Sequence, residues 1–438
     1  MSLEIKKATG KHLPNRYFLY LNRGQIAKSV LYTYPWLHWF SFLNSIFVLH
    51  RAGFNWLEIL RFGGTFIQIH RRLNAVVVEF RTPLTAEQID WAEAKLDVVV
   101  EPVKAVSAFL DKAAAQVGVS TVKNTTNYTG NGIKVAVIDT GINDSHPDLA
   151  GKVIARQDFS TPLNAWSFFN CFKKKPVVLD GVGHGTWCAG AIAGGGKTYQ
   201  GMAPKVALID ARVLNDQGQG SNDSVIKGMS WAASQGADII SMSLGGQGTP
   251  DDATSREAEA LIADGIVVVV AAGNEGPLAN TIGSPSCAEN VITVAAVDQK
   301  NVVAHYSSRG PVIYNGKNLQ KPDIAAPGGG TTPENSCYYA NGVTSVKSAD
   351  VRRDACTVMQ DAALYQRMSG TSMATPIVAG ICALILEAAN WTSRQANRCA
   401  LVKQLIKSTA KQLPPYHATD CGAGLVDAKA AIDSIIKG

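Results

Sequence analysis

Four positions in this chain carry side chains whose types and settings suit chemistry. Asp139 closes the apolar run IKVAVID and is followed by Thr140 and Gly141, so its carboxylate is expected at a strand end. His184 lies in DGVGHGTWCAG, between glycines and ahead of a small-residue helix, where an imidazole meets little steric cover. Ser372 lies in MSGTSMATPIVAG, a turn that runs into an apolar helix, and a hydroxyl there sits beside the free N–H groups of a helix start. Asn274, in VVVVAAGNEGP, follows an apolar strand, and a side-chain donor aimed at a developing oxyanion is worth about 3 to 4 kcal/mol of barrier. An acid, an imidazole, a hydroxyl and an amide are the parts that acyl transfer through a covalent serine intermediate requires. Singly, each has an ordinary structural reading: a turn aspartate, a packed histidine, a serine N-cap, an asparagine tolerating left-handed backbone.

What would bring them together is a sheet. From Gly132 onward, short β-branched runs (IKVAVID, VALIDARVL, DIISMSL, IVVVVAA, VITVAAV) alternate with helical segments, the pattern of buried parallel strands. Crossovers such as Asp223 to Gln235 and Arg256 to Asp264 are long enough for helices, which predicts a doubly wound, mostly parallel α/β domain with its site at the carboxyl ends of the strands. The first hundred or so residues read differently. A strand over Asn74 to Phe80, a helix over Thr85 to Ala94 and a strand over Leu96 to Val100 predict a small α+β domain. The polar, Ala-rich stretch from Ser107 to Tyr128 is expected to be linker, giving domains of 1–110 and 129–438 with a connecting and processing region at 111–128.

Composition narrows the function classes. At 438 residues and 46% apolar the chain can build two or three cored domains. The excess of 41 Lys and Arg over 35 Asp and Glu is spread along the chain, so no basic face for nucleic acid is expected. The eight cysteines show no CxxC pairs, so neither a zinc site nor a redox motif is supported, and Cys188 and Cys382 in apolar helical patterns favour buried free thiols and a reducing compartment. No secretory-signal pattern occupies the first 30 residues. The uncharged run from Ser29 to His50 is long enough for a bilayer, but Pro35, His38, Asn44 and aromatics at helical spacing point to an amphipathic helix packed in the N-terminal domain. A cytoplasmic location follows as the expectation, with secretion or anchoring through residues 29–50 as the alternative.

The motifs VIDTG, GHGTWCAG, SMSLGG, AAGNEGP, YSSRGP, KPDIAAPG and SGTSMATP, in that order across residues 130 to 430, resemble the subtilase family of serine proteases; the long stretch before SGTSMATP and the basic, aromatic N-terminus without a signal pattern resemble its intracellular alkaline protease type of bacilli. The resemblance implies an endopeptidase with Ser372 as nucleophile, His184 as general base and then acid, and Asp139 orienting His184. It implies an oxyanion hole from the Asn274 side chain and the Ser372 N–H. Peptide would bind as an added strand between Ser243, Leu244, Gly245 on one side and Gly218, Gln219, Gly220 on the other. Gly283 would form the floor and Ala271, Ala272 and Gly273 the wall of a pocket for a bulky apolar side chain, with Glu275 at its rim admitting a basic one. The resemblance further makes the N-terminal domain a propeptide that inhibits and is then removed by the enzyme itself, with cleavage between about Ala105 and Gly118.

Departures from the family pattern accompany the matches. Trp187 stands where many relatives carry a second histidine. Cys188, one helical turn after His184, should put a thiol beneath the imidazole, so bulky mercurials should inhibit by displacing it. Ala155 to Gly181 and Gly330 to Arg367 are longer than in the small secreted relatives and are expected to flank the cleft, tuning access or forming plain surface excursions. Asp148 aligns with a calcium ligand of the secreted enzymes, but the loop that supplies the other ligands is shortened to about Gly194 to Gln200. No cofactor is needed for the chemistry, and structural calcium is left open. Hydrolysis of esters and a catalytically silent binding module are the competing functions; the paired strand edges argue against the first and the four filled positions against the second.

Overall fold

A computed structural model describes residues 12–21, 64–70, 75–80, 84–96, 98–108, 113–160, 179–196, 199–330, 342–351, 364–395 and 397–437. The chain divides into two units, residues 1–105 with 221–223, and residues 106–220 with 224–438. The expected helix over 29–50 lies outside the described residues.

In the first unit, strands β1 (His12–Leu21), β2 (Gly64–His70), β3 (Ala75–Phe80) and β4 (Val98–Ala108, whose end passes into the second unit) form an antiparallel sheet in the order β4-β1-β3-β2. Between β3 and β4 runs α1 (Ala86–Leu96). Its start is a capping box: Gln88 N–H donates to Thr85 Oγ1 at 3.3 Å, and Thr85 N–H to Gln88 Oε1 at 2.9 Å. The helix runs on to Leu96, so the following strand opens at Val98 rather than at Leu96; with the N-terminus fixed by that cap, propagation through Ala94, Lys95 and Leu96 meets no breaker.

The second unit begins with a correction. The segment expected as linker carries α2 (Val119–Thr125), and Val117, Val119 and Val122 are wholly buried in the main core. Seven helical residues are too few to show a clear 3.6 period, which is why polar Thr and Lys on the outer face masked it. The chain then passes through β5 (Lys134–Asp139), β6 (Val153–Asp158), α3 (His184–Ala193), β7 (Ala207–Arg212), α4 (Asn222–Ser234), β8 (Ile239–Met242), α5 (Ala253–Ala263), β9 (Val267–Ala271), β10 (Ile292–Val297) and β11 (Ile324–Pro327). A hairpin of β12 (Val343–Val346) and β13 (Tyr365–Met368) follows, then α6 (Thr371–Ala388), α7 (Arg398–Ser408) and α8 (Ala428–Lys437).

The seven strands β11-β10-β9-β8-β5-β7-β6 form one parallel sheet. All five β-branched runs read from the sequence lie in it. The edge strand β6 was missed because VIARQD is largely solvent-facing and has no apolar run. Chain order reverses direction at β5, with β7 and β6 on one side and β8 to β11 on the other, so the carboxyl end of β5 is the topological switch point where such sheets place a site. Helices α3 and α6 pack on the sheet with their side chains almost all buried. By length and composition α6 is apolar enough to cross a membrane, at a mean hydropathy of 1.6, but 89% of it is buried in the core, which accounts for its character.

Candidate active site

Asp139 is the last residue of β5, at the switch point, and His184 is the first residue of α3. The left-handed turn that delivers the histidine needs glycine: Gly183, the N-cap, has φ of 85°. Gly185 is required for a different reason, since a Cβ there would lie 2.3 Å from the Gly141 carbonyl oxygen and 3.1 Å from Asp139 Cβ. That close approach lets the imidazole reach the acid. His184 Nδ1 stands 2.7 Å from Asp139 Oδ1, and both side chains are fully buried. A carboxylate offers only acceptors, so Nδ1 carries the proton and Nε2 is left as the basic nitrogen.

Three groups that the sequence reading did not single out hold this pair. Thr140 N–H donates to Asp139 Oδ1 at 2.7 Å. The Thr140 hydroxyl accepts from Gly185 N–H at 2.9 Å and donates to Asp180 Oδ1 at 2.8 Å. Asp180, wholly buried, also accepts from Gly183 N–H at 2.8 Å and from both the N–H and the hydroxyl of Thr186, at 2.9 and 2.6 Å. Burial pushes its carboxyl above the ordinary 3.8, and the four donors pull the other way. The one available signal was an aspartate four residues before the histidine in a glycine-rich turn.

Cys188 lies beneath the imidazole as expected: its Sγ is 3.8 Å from His184 Nδ1 and donates to Asp139 Oδ2 at 3.6 Å. Burial, and then the charge of Asp139, push the thiol well above its usual value, so it stays protonated. Donor atoms of Asp139, His184 and Cys188 fall within 4.8 Å of one another, the separation a metal ion requires. Each is already committed to another of the three, which fits a hydrogen-bonded acid–base pair better than a metal centre.

Ser372 is the second residue of α6 and is buried, and its carbonyl accepts from the Ser243 hydroxyl at 2.8 Å. Asn274 follows β9. Its Oδ1 accepts from Thr371 N–H at 2.9 Å and from the Thr371 hydroxyl at 3.1 Å. A backbone N–H can only donate, so the amide is fixed with oxygen toward Thr371 and its NH2 available as donor.

Ser372 and Asn274 share one cavity of about 200 Å³ with Leu244, Gly245, Ala271, Ala272, Gly273, Glu275 and Gly283, all expected in substrate binding. Gly283 is a glycine because a Cβ would lie 2.1 Å from the Gly246 carbonyl oxygen, the two backbones being paired there. Gly218, Gln219 and Gly220 do not line this cavity; Asn215 N–H donates to the Gln219 carbonyl at 2.8 Å across a turn, and Gly220 opens a two-residue strand, Gly220–Ser221, that pairs with β4. On the Leu244–Gly245 edge lies backbone of the chain itself, Ser107 pairing antiparallel with Gly245 and Ala108 with Leu244.

At Asp148, the position aligned with a calcium ligand of the secreted enzymes, Oδ2 accepts from the Tyr365 hydroxyl at 2.9 Å. Among the described residues, no cluster of three or more metal-ligating side chains gathers around it.

Residues 130–424 match the subtilase family. The chain belongs to the subtilase family. It is 38% identical over 352 residues to the serine protease AprX of Bacillus subtilis, covering 75% of this chain and 72% of that one. It is 34% identical over 291 residues to thermitase of Thermoactinomyces vulgaris, covering 65% and 83%, and 33% identical over 323 residues to subtilisin E of Bacillus subtilis, covering 72% and 70%. This subtilase is therefore a serine endopeptidase, built on the parallel α/β sheet that its sequence predicted.

Proposed function

We propose that this subtilase hydrolyses peptide bonds through an acyl-enzyme, with Ser372 as nucleophile, His184 as base and then acid, Asp139 as its orienting carboxylate, and the Asn274 amide with the Ser372 N–H as oxyanion donors. The observation that carries the reading is the buried 2.7 Å bond between His184 Nδ1 and Asp139 Oδ1, which leaves Nε2 as the base. The amide of Asn274, turned by Thr371, supports the oxyanion role. A fluorophosphonate probe should label the wild type at Ser372 and leave folded Ser372→Ala unlabelled; casein digestion by Ser372→Ala at the wild-type rate would overturn the assignment.

Substrate binds as an added antiparallel strand on Leu244–Gly245, and the pocket beside it takes a bulky apolar side chain before the scissile bond. The pairing of Ser107 and Ala108 with that edge supports both statements and the reading of the N-terminal region as an intramolecular inhibitor. Because the chain from Ala113 onward packs in the catalytic unit, self-cleavage falls between Ala108 and Ala113. Phe109 is the first residue past the paired strand and has the side chain the pocket suits, so Phe109–Leu110 is the bond proposed. N-terminal sequencing of the mature enzyme tests it: a start at Leu110 supports it, and a start within residues 119–125 contradicts it. The five described cysteines, all buried and unpaired, support residence in a reducing cytoplasm, which fractionation of cells checks.

A further inference from the structure

The turn that presents His184 is gripped from outside by the hairpin β12–β13, part of the segment that precedes the nucleophile. Asp350, just past β12, accepts on Oδ2 from the N–H of Leu179 at 2.9 Å and of Asp180 at 3.4 Å. The Ser348 hydroxyl donates to the Asp180 carbonyl at 2.8 Å and accepts from Asp350 N–H at 3.1 Å. Gln366, on β13, donates from Nε2 to the Gly183 carbonyl at 3.2 Å, and its own carbonyl accepts from Trp187 Nε1 at 3.1 Å. A Cβ on Gly183 would strike Val351 Cγ2 at 2.6 Å, so the two segments are in contact as well as bonded.

Asp180 is the joint. Its backbone N–H and carbonyl are held by Asp350 and Ser348, while its carboxylate holds Thr140, Gly183 and Thr186 around the catalytic pair. We propose that Asp350, with Ser348, is a positioning residue for catalysis: through Asp180 it sets the register of the His184 turn against Asp139. The described end of the longer stretch before His184 and the segment before Ser372 thus form one frame for the imidazole rather than a rim that tunes access. Misplacing a base by a fraction of an ångström weakens its reach to both partners, whereas substrate contacts on Leu244–Gly245 lie elsewhere in the unit.

This inference rests on His184 acting as the base, and the test separates the two. Asp350→Ala, assayed on a chromogenic peptide with a bulky apolar residue before the cut, should lose about 10- to 100-fold in kcat with KM within about twofold. The acid limb of its kcat/KM profile should move to lower pH, because an imidazolium held less closely to Asp139 is less stabilised. Asp350→Asn, whose amide oxygen still accepts from Leu179 N–H, should restore most of the rate. Wild-type kcat and an unmoved acid limb in folded Asp350→Ala overturn the proposal, as does an Asp350→Asn variant as impaired as the alanine. If Asp350→Ala does not accumulate folded, Ser348→Ala decides: a fall in kcat of about threefold or more supports the frame and an unchanged kcat refutes it. If His184→Ala reacts with a fluorophosphonate as fast as wild type, the base assignment fails; if it is inert while Asp350→Ala reacts normally, only the frame fails.

Discussion

The acid–base pair and the cavity that holds Ser372 and Asn274 are built on different plans. Asp139 and His184 are held by buried side chains and tightly turned backbone joined by hydrogen bonds. The side proposed to receive peptide is made of strand edge, alanine and glycine: Leu244, Gly245, Ala271, Ala272, Gly273 and Gly283. The contrast teaches where precision is needed. Proton transfer depends on fractions of an ångström and so demands rigid side-chain partners, whereas a peptide backbone is read by another backbone and tolerates many sequences. Substitutions on the first side should therefore strike kcat, and on the second should reorder substrates.

The largest break should come from the chemical groups. Ser372→Ala and His184→Ala should each lose about 10⁶-fold in kcat, the cost of removing the serine or the histidine of the triad in subtilisin, and Ser372→Ala should persist as the full-length precursor on a denaturing gel. Processing of Ser372→Ala at the wild-type rate, without added enzyme, would break the comparison at its root. Next comes Asn274→Ala, expected to lose about 10²- to 10³-fold in kcat with little change in KM, the cost of one oxyanion donor in this class. An effect on KM alone would move Asn274 to the substrate-reading side.

Smaller effects sharpen the division. Glu275→Gln should lower kcat/KM for substrates with lysine before the cut by about five- to tenfold while sparing phenylalanine, which a peptide library reads directly. Cys188→Ala should keep activity within about threefold, since the thiol only underlies the pair, yet abolish the slow inhibition by bulky mercurials that wild type should show. Unchanged wild-type activity after verified modification of Cys188 contradicts the second half.

The smallest prediction concerns pH. Burial, ahead of the opposing pull of Arg156, pushes Asp210 up to about 7 from 3.8. Between those values the unfolded chain has released a proton that the folded chain retains, so this residue's contribution to stability declines as pH rises toward 7. In a Ser372→Ala background, the melting temperature of Asp210→Asn relative to Asp210 should therefore rise between pH 4 and 7 and level off above. A flat difference removes Asp210 as a source of pH dependence.

What could be read without coordinates was what repeats along the chain or what one residue type does alone. Five buried strands announced themselves as β-branched runs, and the parallel sheet followed, because a strand buried on both faces has no polar alternation to hide in. The short glycine-flanked motifs located the candidate residues for the same reason: a tight turn needs particular residue types at fixed spacing. Local pattern failed where position is decided by partners distant in sequence. The Val117, Val119 and Val122 face looked like linker until α8 and the core were present to bury it. Nothing local in sequence sets Asp180 apart from other turn acids or Asp350, 170 residues away, from other surface ones, since the bond joining them exists only once the hairpin is folded onto the His184 turn. Spacing in a one-dimensional chain encodes periodicity and turn chemistry; which buried carboxylate finds which N–H is settled by desolvation, when every buried polar group must be paired and the tertiary fold offers one partner.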